Sequence, residues 1–219
     1  GLHFFSPANI MKLVEIVRAK FTSDVVVASS LSLVNKINKI PTVVGVCPGF
    51  VGNRILFARQ KQALSMVYDG LMPWDIDKAI NEFGFKMGPF QMSDLAGLDI
   101  GWKKGEKTIN PIRDALCELD RRGQKTNAGY YDYDENRVPR ISKLTEKVIK
   151  DITGKKKEQN MNSAEIIEQC IFPMVNEALL ILEEGMAQRP SDIDVVWLNG
   201  YGFPRDQGGL LFWANKIGS

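Results

Sequence analysis

Pro48 and Gly49 divide the sequence into two kinds of pattern. Before them, "LHFFS" is a short apolar run, "KLVEIVRA" alternates around β-branched residues, and "IPTVVGV" reads as another β-branched strand. Between the last two, "SDVVVASSLSLVNKINK" predicts a helix from Ser23 to Lys39. Ser23 and Asp24 are its candidate caps, and Val26, Leu33, Val34 and Ile37 form its apolar face. This is a strand–helix–strand unit of the kind that ends a larger parallel sheet. Two or three strands cannot bury themselves, so the pattern predicts packing partners outside these residues. The sequence has no initiating methionine, in keeping with a piece of a longer chain.

After Gly49 the chain reads as nearly all helix. "FVGNRILFARQKQALSMVYDG" carries apolar residues at Ile55, Leu56, Ala63, Leu64 and Val67, with Gly70 as a stop. "PWDIDKAINEFG" restarts with proline in the first turn and acids early. "GPFQMSDLAGLDIGW" predicts a short helix with Ser93 or Asp94 near its start. "GQKTNAGYYDYDENRVPRI" is the exception, a loop or hairpin rich in turn residues and tyrosine. "KDITGKKKEQNMNS" is the best linker candidate.

The helical part contains a repeat. "QALSMVYDGLMPWDIDKAINEFGF" returns as "EALLILEEGMAQRPSDIDVVWLNGYGF". Ala63, Gly70, Asp75, Ile76, Asp77, Gly84 and Phe85 meet Ala178, Gly185, Asp192, Ile193, Asp194, Gly202 and Phe203. Gly88-Pro89 then faces Gly208-Gly209. Chance similarity between amphipathic helices explains some of the apolar matches, but not the Asp-Ile-Asp and Gly-Phe matches in register, which point to a duplicated helical unit.

Composition narrows the function classes. With 28 basic and 26 acidic residues, a net charge of +2 supplies no field that calls for nucleic acid or a membrane surface. "GWKKGEK" and "GKKKEQ" read as solvated loops. Cys47, Cys117 and Cys170 have no metal-like spacing and read as reduced thiols. No apolar run reaches the ~18 residues of a membrane span, and no metal set is predicted.

His3 is the only histidine. If it ends one strand and Glu15 lies in the next, the two side chains meet across the pair. A carboxylate against one ring nitrogen fixes the tautomer and raises the basicity of the other, making a general base. Asn53 opens a helix after "CPGFVG", where its amide can orient a substrate oxygen at a domain boundary. On spacing alone the alternatives stay open. His3 also reads as a satisfied structural histidine, Glu15 as a solvated acid and Asn53 as an N-cap.

The wording of the motifs carries further. "HFFSPANIMKLVEIV", "PGFVGNRIL" and "EFGFKMGPFQMSDLAGLDIGW" resemble the 3-hydroxyacyl-CoA dehydrogenases. "GQKTNAGYYDYD" and "GYGFPRDQGGLLFWA" resemble more narrowly the dehydrogenase part of the peroxisomal-type multifunctional enoyl-CoA hydratase/3-hydroxyacyl-CoA dehydrogenases. The resemblance spans essentially the whole chain. It implies that His3 is the catalytic base, that Glu15 pairs with it and that Asn53 orients the substrate. The reaction it implies is oxidation of (S)-3-hydroxyacyl-CoA to 3-ketoacyl-CoA with NAD as cofactor, in fatty acid β-oxidation.

The implied architecture is mainly α. Residues 1–47 would be the C-terminal edge of a Rossmann-type NAD-binding domain. Residues 48–150 and 151–219 would be two homologous helical dehydrogenase units. In the family the glycine-rich NAD loop precedes the HFF motif, so the cofactor-binding residues of this chain stay unassigned and the isolated stretch is expected to be inactive. The implied partners are the CoA-ester substrate, the remaining Rossmann half and a hydratase domain. "SAEIIEQCIFPMVNEALLILEEG" is apolar enough for a homodimer contact or for internal packing. The implied compartment is the peroxisome, with the mitochondrial matrix or cytoplasm as alternatives. Lys12 and Arg54 read as surface charges rather than CoA contacts. The competing functional reading is a non-catalytic capping or dimerisation module of the same family.

Overall fold

A computed structural model describes residues 1–155 and 161–218. It is mainly helical, with one three-stranded sheet and one two-stranded hairpin. By its contacts the chain divides into two units, residues 1–59 with 170–219, and residues 60–169. The divisions fall within two long helices, α2 (Gly52–Tyr68) and α7 (Ser163–Glu183). This grouping cuts across the boundaries at 47 and 150 read from the sequence, which follow repeats rather than compact bodies.

In the first unit the sheet is built from β1 (Leu2–Phe4), β2 (Leu13–Val17) and β3 (Ile40–Val44), in that order. β1 runs antiparallel to β2, with His3 opposite Glu15, and β2 runs parallel to β3, with Glu15 opposite Thr42. All five residues of β2 are buried, as both faces of a central strand require. Val14 and Ile16 meet α1 (Asp24–Lys36) through Val34 and Leu31. Gly200, at the end of α8 (Pro190–Gly200), lies against Leu13 on the opposite face, where a Cβ would be 2.6 Å from Leu13 Cδ2.

Two details of α1 differ from expectation. Ser23 does cap it, accepting from the Val26 N–H. The sheet-facing stripe, however, is Val27, Leu31 and Val34, whereas Val26, Leu33 and Ile37 are 52%, 49% and 44% exposed. Both sides of this helix are apolar, so periodicity alone could not choose between them.

In the second unit, α3 (Pro73–Phe83) is followed by α4 (Pro89–Ala96), α5 (Pro111–Glu118), β4 (Tyr131–Tyr133), β5 (Pro139–Ile141) and α6 (Lys143–Thr153). β4 and β5 form the hairpin that the tyrosine-rich segment suggested. Helix α4 starts at Pro89 with Gly88 as its N-cap, so Ser93 and Asp94 lie well inside it rather than near its start. Its N-cap has no side chain, and Asp77 of α3 accepts from the N–H groups of Phe90 and Gln91 while Gln91 Oε1 accepts from the Gly88 N–H. The predicted linker begins as the last turn of α6, through Thr153, because Ile149 is buried there. The centre of that stretch, 156–160, lies outside the described residues. "GWKKGEK" is exposed, with Trp102 half-buried.

The repeat has a structural counterpart. In the first unit, α8 is followed by α9 (Leu210–Ile217), and Asp194 of α8 accepts from the N–H groups of Leu211 and Phe212. Asp77 and Asp194 thus cap the next helix in the same way. Gly88 and Gly209 are the matching N-caps, and a Cβ on either would collide with the aspartate that caps its helix. The sequence pairing of Gly88-Pro89 with Gly208-Gly209 is therefore out by one: Gly88 pairs with Gly209 and Pro89 with Leu210.

Candidate functional site

All three residues singled out by the sequence lie in the first unit, around the start of α2. The β1–β2 register puts His3 directly opposite Glu15, and Nδ1 of the ring lies 2.7 Å from Glu15 Oε2. Glu15 is fully buried, so it is not the solvated acid that spacing left open. Its other oxygen, Oε1, accepts from the Gly52 N–H at 2.9 Å. That N–H belongs to the first residue of α2, where helix donors lack internal partners and the dipole favours negative charge.

An ionised carboxylate can only accept hydrogen bonds, so opposite one Nδ1 is the donor, and in the neutral ring that tautomer puts the lone pair on Nε2. The His3 side chain is 28% exposed, while Glu15 behind it is closed off. Phe5 and Phe50 flank the ring at centroid distances of 4.7 and 5.4 Å. Glu15 and the two aromatic rings hold the imidazole in one orientation.

Asn53 lies inside the first turn of α2, its own N–H donating to Gly49 O, so it is not an N-cap. Its side-chain Oδ1 accepts from the Tyr201 hydroxyl at 2.8 Å. That leaves the Nδ2 hydrogens as the donors the amide can offer to a ligand oxygen. The Glu15–Gly52 bond therefore ties the carboxylate to the residue next to Asn53. Tyr201 was not among the residues singled out by sequence. The signal that would have found it is its place in the repeat, at the Gly-Phe match, where the earlier copy has Phe83.

Arg54 is not a surface charge: its side chain is 17% exposed. Its Nε donates to Glu177 at 2.5 Å, and its two terminal nitrogens reach the Glu184 carboxylate at 2.5 and 2.9 Å. Glu184 chiefly, and then Glu177, hold the guanidinium protonated against the effect of its burial. It joins α2 to α7, and its charge is already matched by these two carboxylates. Lys12 is exposed.

Among the described residues no cluster of His, Cys, Asp and Glu could hold a metal ion. No helix of the described residues is long and apolar enough to cross a membrane. The start of α1 is not a cradle for the pyrophosphate of a dinucleotide. Ser23 already accepts from its Val26 N–H, and Asp24 lies in its first turn, paired with Arg18. An acid occupies the place where phosphate would need bare backbone donors.

Residues 1–47 match the family model described as 3-hydroxyacyl-CoA dehydrogenase, NAD binding domain, and residues 49–133 match the one described as 3-hydroxyacyl-CoA dehydrogenase, C-terminal domain. The chain is 43% identical over its whole length to the human peroxisomal bifunctional enzyme, covering 34% of that protein. It is 40% identical to the peroxisomal fatty acid beta-oxidation multifunctional protein MFP2 of Arabidopsis thaliana, covering all of this chain and 32% of that one. The chain thus spans about a third of the length of these curated relatives. Among solved structures, the dehydrogenase part of multifunctional enzyme 1 from C. elegans matches with a TM-score of 0.70 and 36% identity, over 95% of this chain and 50% of that one. The 3-hydroxybutyryl-CoA dehydrogenase of Escherichia coli shares the fold with a TM-score of 0.75, over 100% of this chain and 63% of that one, at 22% identity.

Proposed function

The chain belongs to the 3-hydroxyacyl-CoA dehydrogenase family, and we propose that it carries the proton-transfer and substrate-orienting part of an enzyme that oxidises (S)-3-hydroxyacyl-CoA to 3-ketoacyl-CoA. The observation that carries this reading is the 2.7 Å contact between Nδ1 of the only histidine and a fully buried carboxylate. His3 Nε2 removes the proton of the substrate's 3-hydroxyl as the carbon is oxidised. Glu15 faces the imidazolium that forms and keeps Nδ1 as the protonated nitrogen. The Asn53 Nδ2 hydrogens orient the oxygens of the substrate, a task of geometry rather than proton transfer.

NAD is the cofactor of the family and supplies the hydride acceptor when bound. The start of α1, with Asp24 in its first turn, is not where the pyrophosphate of NAD would sit. The exposed apolar side of α1 (Val26, Leu33 and Ile37) supports a packing partner against this helix, as a larger Rossmann-type domain would supply. The shared aspartate caps and N-cap glycines support two homologous helical units, at 48–150 and 151–219. The peroxisomal names of the relatives support that compartment, and their multifunctional names support a hydratase partner domain.

The test is His3→Gln in the intact protein, assayed by acetoacetyl-CoA reduction with NADH. Loss of a general base is expected to lower kcat by roughly 100-fold or more. Turnover within two-fold of the parent would sink the proposal and leave the capping or dimerisation module in its place.

A further inference from the structure

We propose that Tyr201 is a positioning residue for the Asn53 amide. The inference rests on the reading above, that Asn53 orients the substrate, and adds how the amide is held. The two residues are 148 positions apart, yet the Tyr201 hydroxyl donates to Asn53 Oδ1 at 2.8 Å. An asparagine side chain offers a carbonyl on one side and an NH2 on the other, and the two are nearly the same size. A hydroxyl donor on Oδ1 breaks that ambiguity and commits Nδ2 to the ligand side.

The ring that carries this hydroxyl is fixed on several sides. Tyr201 is 8% exposed, stacked on Trp197 at 4.5 Å and edge-on to Phe5 at 5.4 Å. Phe5 is the same ring that flanks His3. Tyr201 also closes on the start of α2, where a Cβ on Gly52 would lie 2.5 Å from its ring and 2.6 Å from its hydroxyl. Only glycine at that position lets the phenol come so near. The same Gly52 gives its N–H to Glu15. One glycine therefore admits the tyrosine that holds Asn53 and anchors the carboxylate that holds His3.

Comparison within the chain isolates the hydroxyl. Phe83-Gly84-Phe85 in the first copy of the repeat corresponds to Tyr201-Gly202-Phe203 in the second. The N–H of Phe85 donates to Ile80 O and that of Phe203 to Trp197 O, so the two turns close on matching carbonyls despite the extra residue, Gly200. A phenyl ring serves the first turn. The second carries a phenol, and its hydroxyl is spent on Asn53. Burial first, and the negative charge of Glu15 second, push this phenol above the ordinary tyrosine range, so it remains a donor at working pH.

The experiment is a cycle of Tyr201→Phe, Asn53→Ala and the double variant in the intact protein, with kcat and KM for 3-hydroxyacyl-CoA oxidation and Tm for each. Tyr201→Phe keeps the ring and is expected to lower kcat roughly ten-fold with KM within two-fold, since misorientation acts on the reactive geometry. In the Asn53→Ala background the same change is expected to have no further effect. Three results would overturn the inference: an unchanged kcat, a full ten-fold loss that persists without Asn53, or a fall in Tm that accounts for the lost activity. His3→Gln separates the two levels. If it abolishes turnover while Tyr201→Phe does nothing, this inference fails and the family reaction stands. If His3→Gln is harmless, the reaction itself is misassigned.

Discussion

The α3–α4 and α8–α9 segments use one device and differ in what is laid over it. In both, an aspartate near the start of one helix caps the next helix, and an N-cap glycine lets the carboxylate in. Asp77 is buried and accepts a third hydrogen bond, from the Tyr131 hydroxyl at 2.8 Å. Asp194 is half-buried, and no tyrosine hydroxyl is recorded on it among the described residues. Six residues into the following helices, Asp94 corresponds to Asn215. Asp94 is buried and accepts from the N–H groups of Tyr130 and Tyr131 and from the Tyr133 hydroxyl, whereas Asn215 is exposed. Arg121 fastens the same tyrosine segment through Gly129 O, Tyr131 O and the Ser142 hydroxyl. The first segment has been committed to stability. The second keeps the cap and contributes its turn tyrosine to the candidate site.

That contrast can be broken by measurement. The largest effect is expected from Asp77→Ala, which strands two backbone N–H groups and a buried phenol and should cost roughly 4 kcal/mol. Asp194→Ala removes a half-exposed cap and should cost about 1 kcal/mol. Denaturant titrations of both variants decide the matter, and equal losses would mean that the tyrosine cover adds nothing.

Next comes pH. Burial pushes the Asp94 carboxyl up to about 6, against the pull of the Tyr130 and Tyr131 N–H groups, the Tyr133 hydroxyl and Arg121. Between its ordinary value of 3.8 and about 6 the native state holds this proton more tightly than the unfolded chain does. Its contribution to stability is therefore complete at acid pH, falls as pH rises through that window and is flat above it. The full fall is on the order of 3 kcal/mol. Unfolding curves at pH 4 and pH 7 should differ less for Asp94→Asn than for the parent, and an identical difference would refute the assignment. An effect as small as that of Asp194→Ala is expected from Tyr131→Phe. It should lower stability by about 1 kcal/mol and leave dehydrogenase turnover within two-fold, in contrast to the same hydroxyl deletion at Tyr201.

Much of this was legible before any coordinates. Strand patterning around "LHFF" and "KLVEIV", proline and glycine punctuation of α3, and the tyrosine hairpin all follow from short-range rules of backbone and side-chain period. The spacing from His3 to Glu15 was enough to suggest a cross-strand meeting. The buried side of α1 was not readable, because Val26, Leu33 and Ile37 are as apolar as the stripe that faces the sheet. The start of α4 was misplaced for a related reason: its cap comes from Asp77, eleven positions before Gly88, and no local signal marks a cap borrowed from another helix. Arg54 looked like a free cation because its two carboxylate partners lie more than 120 residues away.

The sequence by itself determined the local chemistry: a single imidazole, a carboxylate at strand-pair distance, an amide at a helix start and a duplicated capping motif. Those features depend on neighbours along the chain, where covalent geometry sets what meets what. Only the tertiary structure decided the electrostatic surroundings of each group. It closed Glu15 off from water, set its second oxygen on the first N–H of α2 and brought the Tyr201 hydroxyl to Asn53. Burial and long-range hydrogen bonding are properties of the packed chain, and the same residue types in another packing would be ordinary surface groups.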